Sequence, residues 1–185
     1  QMDYGPLLGV EPGQGTIGGV LAANLAGPRR LKAGAARDHV LGVHAVSGRG
    51  EAFKSGGRVV KNVTGYDLSK AMAGSWGTLA VVTDVTFKVL PRAQTEATLL
   101  LRDLSEEQAV AAMALAMGSS GEVAGAAHLP ESVTGTVLDG AIKGRGATLL
   151  RLEGFAPSVA YRFDRLTSLL AGHGAAGRLD GPESK

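Results

Sequence analysis

The chain alternates between stretches with a two-residue apolar period and stretches with a helical one, punctuated by glycine and proline. The clearest two-residue pattern runs from Leu79 to Val89. Leu79, Val81, Val85, Phe87 and Val89 fall on one face and Asp84, Thr86 and Lys88 on the other. This predicts a strand with a dry and a wet side, stopped by Pro91. A second strand is expected over the latter half of Arg37–Val46. Its turn is Ser47-Gly48-Arg49-Gly50 and its partner begins at Glu51-Ala52-Phe53, which makes a hairpin. Asp67 or Ser69 can cap a short helix over Leu68–Ala73, ended by Gly74.

The pattern changes after Pro91, and a domain boundary is expected near Pro91–Gln94, giving domains of residues 1–92 and 93–185. Thr95–Arg102 reads as a strand. Ser105-Glu106-Glu107-Gln108 is a capping box, followed by Ala109, Val110, Ala112, Met113, Ala116 and Met117 at helical spacing, with Gly118 at the C-cap. Glu122–Leu129, Ser132–Leu138 and Ala147–Glu153 read as strands. Pro157 suits the first turn of a helix with Val159, Phe163, Leu166 and Leu170 on one side, ended by Gly172. Strand, helix, strand, strand, helix is the order of a ferredoxin-like sandwich. The short, glycine-rich tail after Gly172 leaves a closing strand undecided.

The stretch from Gly13 to Arg30 is of another kind. Its glycines and small alanines leave the main chain bare, able to lie flush against a flat polar ligand with N–H groups directed at it. Gly18-Gly19 is expected to open a short helix over Val20–Asn24, where unpaired N–H groups meet an anion or a polarised ring edge. A plain turn-rich loop reads the same residues equally well, because the spacing fits neither the Walker pattern nor the Rossmann fingerprint. A formal net charge of +2 argues against a broad nucleic-acid surface. Without cysteine, the chain supplies no disulfide, iron–sulfur cluster or thiolate zinc site. His39, His44, His128 and His173 lack metal spacing, so no metal site is expected, and no serine sits in a nucleophile elbow. No apolar run approaches the ~20 residues that span a bilayer, and a cytoplasmic location is expected.

Four segments in order carry a resemblance. They are Gly15-Thr16-Ile17-Gly18-Gly19, Arg37-Asp38-His39-Val40-Leu41-Gly42, Val60-Lys61-Asn62-Val63-Thr64-Gly65-Tyr66-Asp67-Leu68, and Gly74-Ser75-Trp76-Gly77-Thr78-Leu79-Ala80-Val81-Val82-Thr83. Together they resemble the second half of the FAD-binding domain of the vanillyl-alcohol-oxidase/PCMH-type flavoproteins. Leu25-Ala26-Gly27-Pro28-Arg29-Arg30 and the segment from Lys61 to Leu68 look most like glycolate-oxidase flavin subunits. The resemblance implies an α+β fold. The second subdomain of the PCMH-type FAD-binding domain, mainly antiparallel sheet with helices, precedes a partial ferredoxin-like cap domain. It also implies a middle piece of a longer protein, which on its own is expected to lack tightly bound FAD.

By the same resemblance, FAD is the cofactor, and Thr16 to Gly27 lies along it. Thr16, Gly18, Gly19 and Ala22 give backbone contacts, with Gly15 and Ile17 in the same ribbon. Asn24 helps hold the turn, Val81 meets the adenine end through its backbone, and Glu11 lies near the cofactor. Arg37 or Lys61 could supply positive charge beside the pyrimidine edge, where it would stabilise the anionic reduced flavin. An ion pair with Asp38 is the other reading for Arg37, and plain solvent exposure for Lys61. Trp76, the single tryptophan, is expected to be buried beside the Asp67–Ala73 helix, with stacking on the flavin as the alternative. No catalytic residue stands out.

The implied activity is oxidation of glycolate or another 2-hydroxy acid, with electrons passed to an iron–sulfur subunit. The implied partners are that subunit and a catalytic flavin sister subunit, and any membrane association runs through them. An assembly or electron-relay role in such a complex is the alternative. A different 2-hydroxy acid dehydrogenase of the superfamily is a third reading.

Overall fold

The computed structural model describes residues 15–61, 65–137, 142 and 146–180. The chain packs as two compact units. One holds the described residues up to Arg30 together with Gly34–Leu90, and the other holds Leu31–Ala33 with the described residues from Pro91 onward.

The first unit is built on a three-stranded antiparallel sheet, β1 (Val40–Ser47), β2 (Ala52–Gly56) and β3 (Ala80–Phe87), in the order β2-β1-β3. Among the described residues three short helices belong to it, α1 (Ile17–Ala22), α3 (Ala36–His39) and α4 (Leu68–Met72), while Leu31–Ala33 of α2 (Arg30–Ala33) fall in the other unit. The core joins Leu21 of α1, Val40, Val43 and Ala45 of β1, Met72 of α4 and Ala80 of β3. Asp67 is the N-cap of α4, its Oδ1 accepting from Lys70 N (3.3 Å) and Ser69 Oγ (2.6 Å).

The dry face expected for Leu79–Val89 is not the one observed. Leu79, Val81 and Val89 are 56, 68 and 83% exposed. The buried side of β3 starts with Ala80 and Val82 and continues with Val85 and Phe87. The phase changes because His44 pairs with Asp84 while Ala45 pairs with Val82, so Thr83 is an extra residue in the ladder. Such a bulge shifts the alternation by one residue and sends the side chains before it to the opposite face. Thr83 Oγ1 donates to the His44 carbonyl oxygen at 3.2 Å. A matching irregularity in β1 skips Leu41 between Val40 and Gly42, so its buried side runs Val40, Val43, Ala45.

The second unit is a four-stranded antiparallel sheet, β4 (Thr95–Arg102), β5 (Gly125–Leu129), β6 (Ala147–Gly154) and β7 (Ala176–Asp180), in the order β5-β6-β4-β7. Helices α5 (Glu106–Met117) and α7 (Ala156–Leu169) cover one face. This is the ferredoxin-like arrangement, with β7 pairing along β4 to supply the closing strand. The capping box of α5 forms, with Ser105 N to Gln108 Oε1 at 3.0 Å and Gln108 N to Ser105 Oγ at 3.3 Å. Ala97, Leu99, Leu101, Leu150 and Leu152 of the sheet meet Ala112 and Ala116 of α5 and Val159, Phe163 and Leu166 of α7.

Several expectations change here. Val110 lies on the outer side of α5 at 60% exposure, because Ala109, Ala112 and Ala116 form the inner face. Ser132–Leu138 is not a strand. Pro130 is the N-cap of the short helix α6 (Glu131–Thr134), and Thr134 Oγ1 bonds back to the Glu131 carbonyl at 2.9 Å. Leu138 lies outside the described residues. Helix α7 ends at Leu169, before a 3-10 turn at Ala171–His173, rather than at Gly172. Among the described residues no helix is long and apolar enough to cross a membrane.

Candidate functional site

Helix α1 is a weak helix by composition. It has six residues, two of them glycine, and each glycine costs up to about 1 kcal/mol relative to alanine. Contacts from elsewhere hold it. Leu21 is buried in the core. Thr16 caps the start, its Oγ1 accepting from Gly19 N at 3.0 Å. At the far end, Gly74 N and Trp76 N donate to the carbonyl oxygens of Leu21 and Ala22, each at 3.0 Å. The helix thus begins three residues earlier than expected, at Ile17, and is clamped to the loop that leads into β3.

This clamp shapes a concavity of about 220 Å³, lined by Gly18, Leu21, Ala22, Met72, Ser75, Gly77, Ala80, Val81 and Val82. Pockets that enclose a drug-sized ligand run from roughly 300 to 1,000 Å³, so this one has space for a single ring system rather than a dinucleotide. Its lining is apolar or small, with no acid or base among the side chains. A Cβ added at Gly18 would meet nothing within 4 Å, and the same is true at Gly15 and Gly77. The chain's own packing therefore does not require glycine at position 18.

The predicted residues divide clearly. Gly18, Ala22 and Val81 line the concavity. Gly15, Thr16, Ile17 and Gly19 are exposed around the start of α1. Asn24 adopts a left-handed conformation (φ 49°), and its Oδ1 accepts from Arg37 N at 2.9 Å, tying the exit of α1 to α3. Gly27 is half-buried in the segment that follows. Arg37 is exposed and forms no ion pair with Asp38, whose carboxylate accepts instead from Ala35 N at 2.7 Å. Lys61 is exposed, and neither Arg37 nor Lys61 lines the concavity. Glu11 lies outside the described residues.

Two features were not legible beforehand. Val81 reaches the concavity through the bulge at Thr83, which no local pattern announces. Trp76 is 75% exposed and not buried beside α4. A broader depression of about 350 Å³ lies over β1 and β2, lined by residues that include His44, Phe53, Lys54 and Thr83. It is open along the strand surface and no glycine lines it. Among the described residues no group of three or more histidine, aspartate or glutamate side chains could hold a metal ion.

Residues 2–56 match the FAD binding domain family. The chain is 44% identical over 114 residues to glycolate oxidase subunit GlcE of Escherichia coli, which takes in 60% of this chain and 32% of that protein. It is 44% identical over 85 residues to glycolate oxidase subunit GlcD of Bacillus subtilis, covering 46% and 18%. It is 43% identical over 77 residues to a D-lactate dehydrogenase of Archaeoglobus fulgidus, covering 42% and 17%. The chain therefore spans about a third or less of the length of these relatives. Among solved structures, alkyldihydroxyacetonephosphate synthase shares the fold with a TM-score of 0.69 at 19% identity, over 91% of this chain and 34% of that one. Over residues 2–56 the chain is thus similar to the FAD binding domain family, and its fold is shared with alkyldihydroxyacetonephosphate synthase.

Proposed function

We propose that this chain supplies one wall of an FAD site in an oxidoreductase acting on glycolate or a related 2-hydroxy acid. One observation carries the reading. Gly18, Ala22 and Val81 converge on a concavity in which open space stands over a glycine that the fold itself does not need. Bare backbone beside a small apolar hollow suits the close approach of a planar ring. When bound, FAD supplies a two-electron acceptor for the 2-hydroxy acid carbon. The chain's contribution is to hold and shield that group. Leu21, Met72 and Ala80 form a dry floor, and the Gly15–Gly19 backbone is exposed for polar contacts.

The lining offers no group able to take a proton from substrate. That favours a cofactor-holding or electron-relay role for this part of the protein, beside a catalytic flavin sister subunit and an iron–sulfur subunit. The test uses the complete gene product, expressed with and without its neighbours. Flavin absorbance that co-purifies and is bleached by glycolate or D-lactate supports the reading. Complete chain that binds no flavin under either condition refutes it. Turnover with an artificial acceptor in the absence of a sister subunit would refute the relay role while keeping the flavin.

A further inference from the structure

Trp76 occupies a place that folding alone does not explain. The Ser75–Thr78 turn is closed by Thr78 N and Thr78 Oγ1, both donating to the Ser75 carbonyl oxygen, at 3.0 and 2.6 Å. Its two central residues, Trp76 and Gly77, have φ of 53° and 74°. Positive φ at both positions is the signature of a type I′ turn, which favours asparagine, aspartate or glycine. A bulky L residue held left-handed costs about 1–2 kcal/mol. Trp76 is nonetheless 75% exposed, so burial of its side chain does not offset that cost. Its two chain neighbours, Ser75 and Gly77, line the concavity, and its backbone N–H donates to the Ala22 carbonyl oxygen at the rim. Ile17, Leu79 and Val81, each lining the hollow or adjacent in sequence to a lining residue, are exposed as well.

We propose that Trp76 is a cofactor-binding residue whose indole stacks on a ring of the bound FAD and closes the open side of the hollow. The inference rests on the flavin reading above and goes beyond it in assigning a side-chain contact. The strain and the exposure are the cost of keeping an aromatic face at the rim, and stacking on a ring offsets both.

The discriminating variant is Trp76→Asn in the complete gene product, with FAD as the probe. Asparagine suits the left-handed turn, so the apoprotein should melt at the wild-type temperature or above it. FAD should bind about ten-fold or more weakly, the loss expected for one aromatic stacking partner. Trp76→Phe should bind within about three-fold of wild type, because a phenyl ring preserves most of the stacking. Wild-type FAD affinity in Trp76→Asn would overturn the inference and leave the flavin reading standing. Absence of FAD binding in the wild type would overturn both. Titration of the same variants with ADP and with FMN identifies the stacked ring as the adenine or the isoalloxazine.

Discussion

Glycines in this chain fall into two physical classes, and substituting one of each separates ligand binding from folding. Gly18 is helical, and an added Cβ would stand in open space beside the hollow. Gly56 has φ +70°, and an added Cβ would collide with the Leu41 carbonyl oxygen where β2 leaves β1. Alanine at position 18 removes the entropic cost of glycine in a helix, worth about 0.5–1 kcal/mol. For a chain of this size that is an increase of ~1–4 °C in melting temperature. Alanine at position 56 loses about 1–2 kcal/mol to its left-handed backbone alone, before the collision is relieved by moving a strand. Its melting temperature should fall by more than about 4 °C. Flavin affinity should run the other way. Gly18→Ala places a methyl group where a ring or phosphate would approach and should weaken FAD binding about ten-fold. Gly56→Ala should bind normally per folded molecule. The assays are thermal unfolding without flavin and an FAD titration, the titration run on the complete gene product carrying the same substitutions. Wild-type FAD affinity in Gly18→Ala, or a destabilisation matching that of Gly56→Ala, would refute the role assigned to Gly18.

Two further outcomes concern stability. Arg162, buried in α7, donates to the carbonyl oxygens of Gly121 (3.2 Å), Glu122 (3.3 Å), Glu153 (2.8 Å) and Ser158 (3.3 Å). Arg162→Met strands these acceptors and should cost about 3 kcal/mol or more in denaturant unfolding, and a loss under about 1 kcal/mol would contradict the stapling role. The Asp67 carboxyl is held below its usual 3.8, chiefly by the hydrogen bond from Ser69 Oγ, with burial opposing the shift and Lys70 adding to it. Because the folded value is depressed, the stabilisation is complete above about pH 3.8 and is lost as the pH falls through the lower folded value. The stability gap between wild type and Asp67→Asn, read from melts across the acid range, should therefore narrow below pH 3.8, and a widening gap would reverse the argument.

Elements with strong local signals were readable from residues alone. Ser105 and Gln108 announce α5, and Val159, Phe163, Leu166 and Leu170 announce the buried side of α7, because caps and helical spacing are properties of neighbouring residues. Strand β7 was not readable. Ala176–Asp180 contains Ala176, Gly177 and a single large apolar residue, Leu179, and it becomes a strand by pairing with Leu101 to Ala97. That partner lies far away in the sequence. The Ser132–Leu138 stretch misled for the opposite reason. Its β-branched residues fit a strand, but Pro130 and the Thr134 hydroxyl bond set up a turn of helix first.

The candidate site follows the same rule at a finer scale. The bare ribbon from Gly15 to Gly19 was visible as composition, whereas the route by which Val81 joins it was not. With unbroken alternation, Val81 would share a face with Val85 and Phe87 and be buried in the core. The extra residue at Thr83 breaks that link: Ala80 and Val82 take the buried positions and Val81 turns toward the hollow. The hollow also needs the loop before β3 to be held against α1 by Gly74 N and Trp76 N. A bulge and a clamp, both set by pairing between segments dozens of residues apart, thus turn a glycine-rich ribbon into one wall of the hollow. This explains why the bare ribbon of α1 was visible as composition, while the residues that line the hollow beside it could be found only in the folded chain.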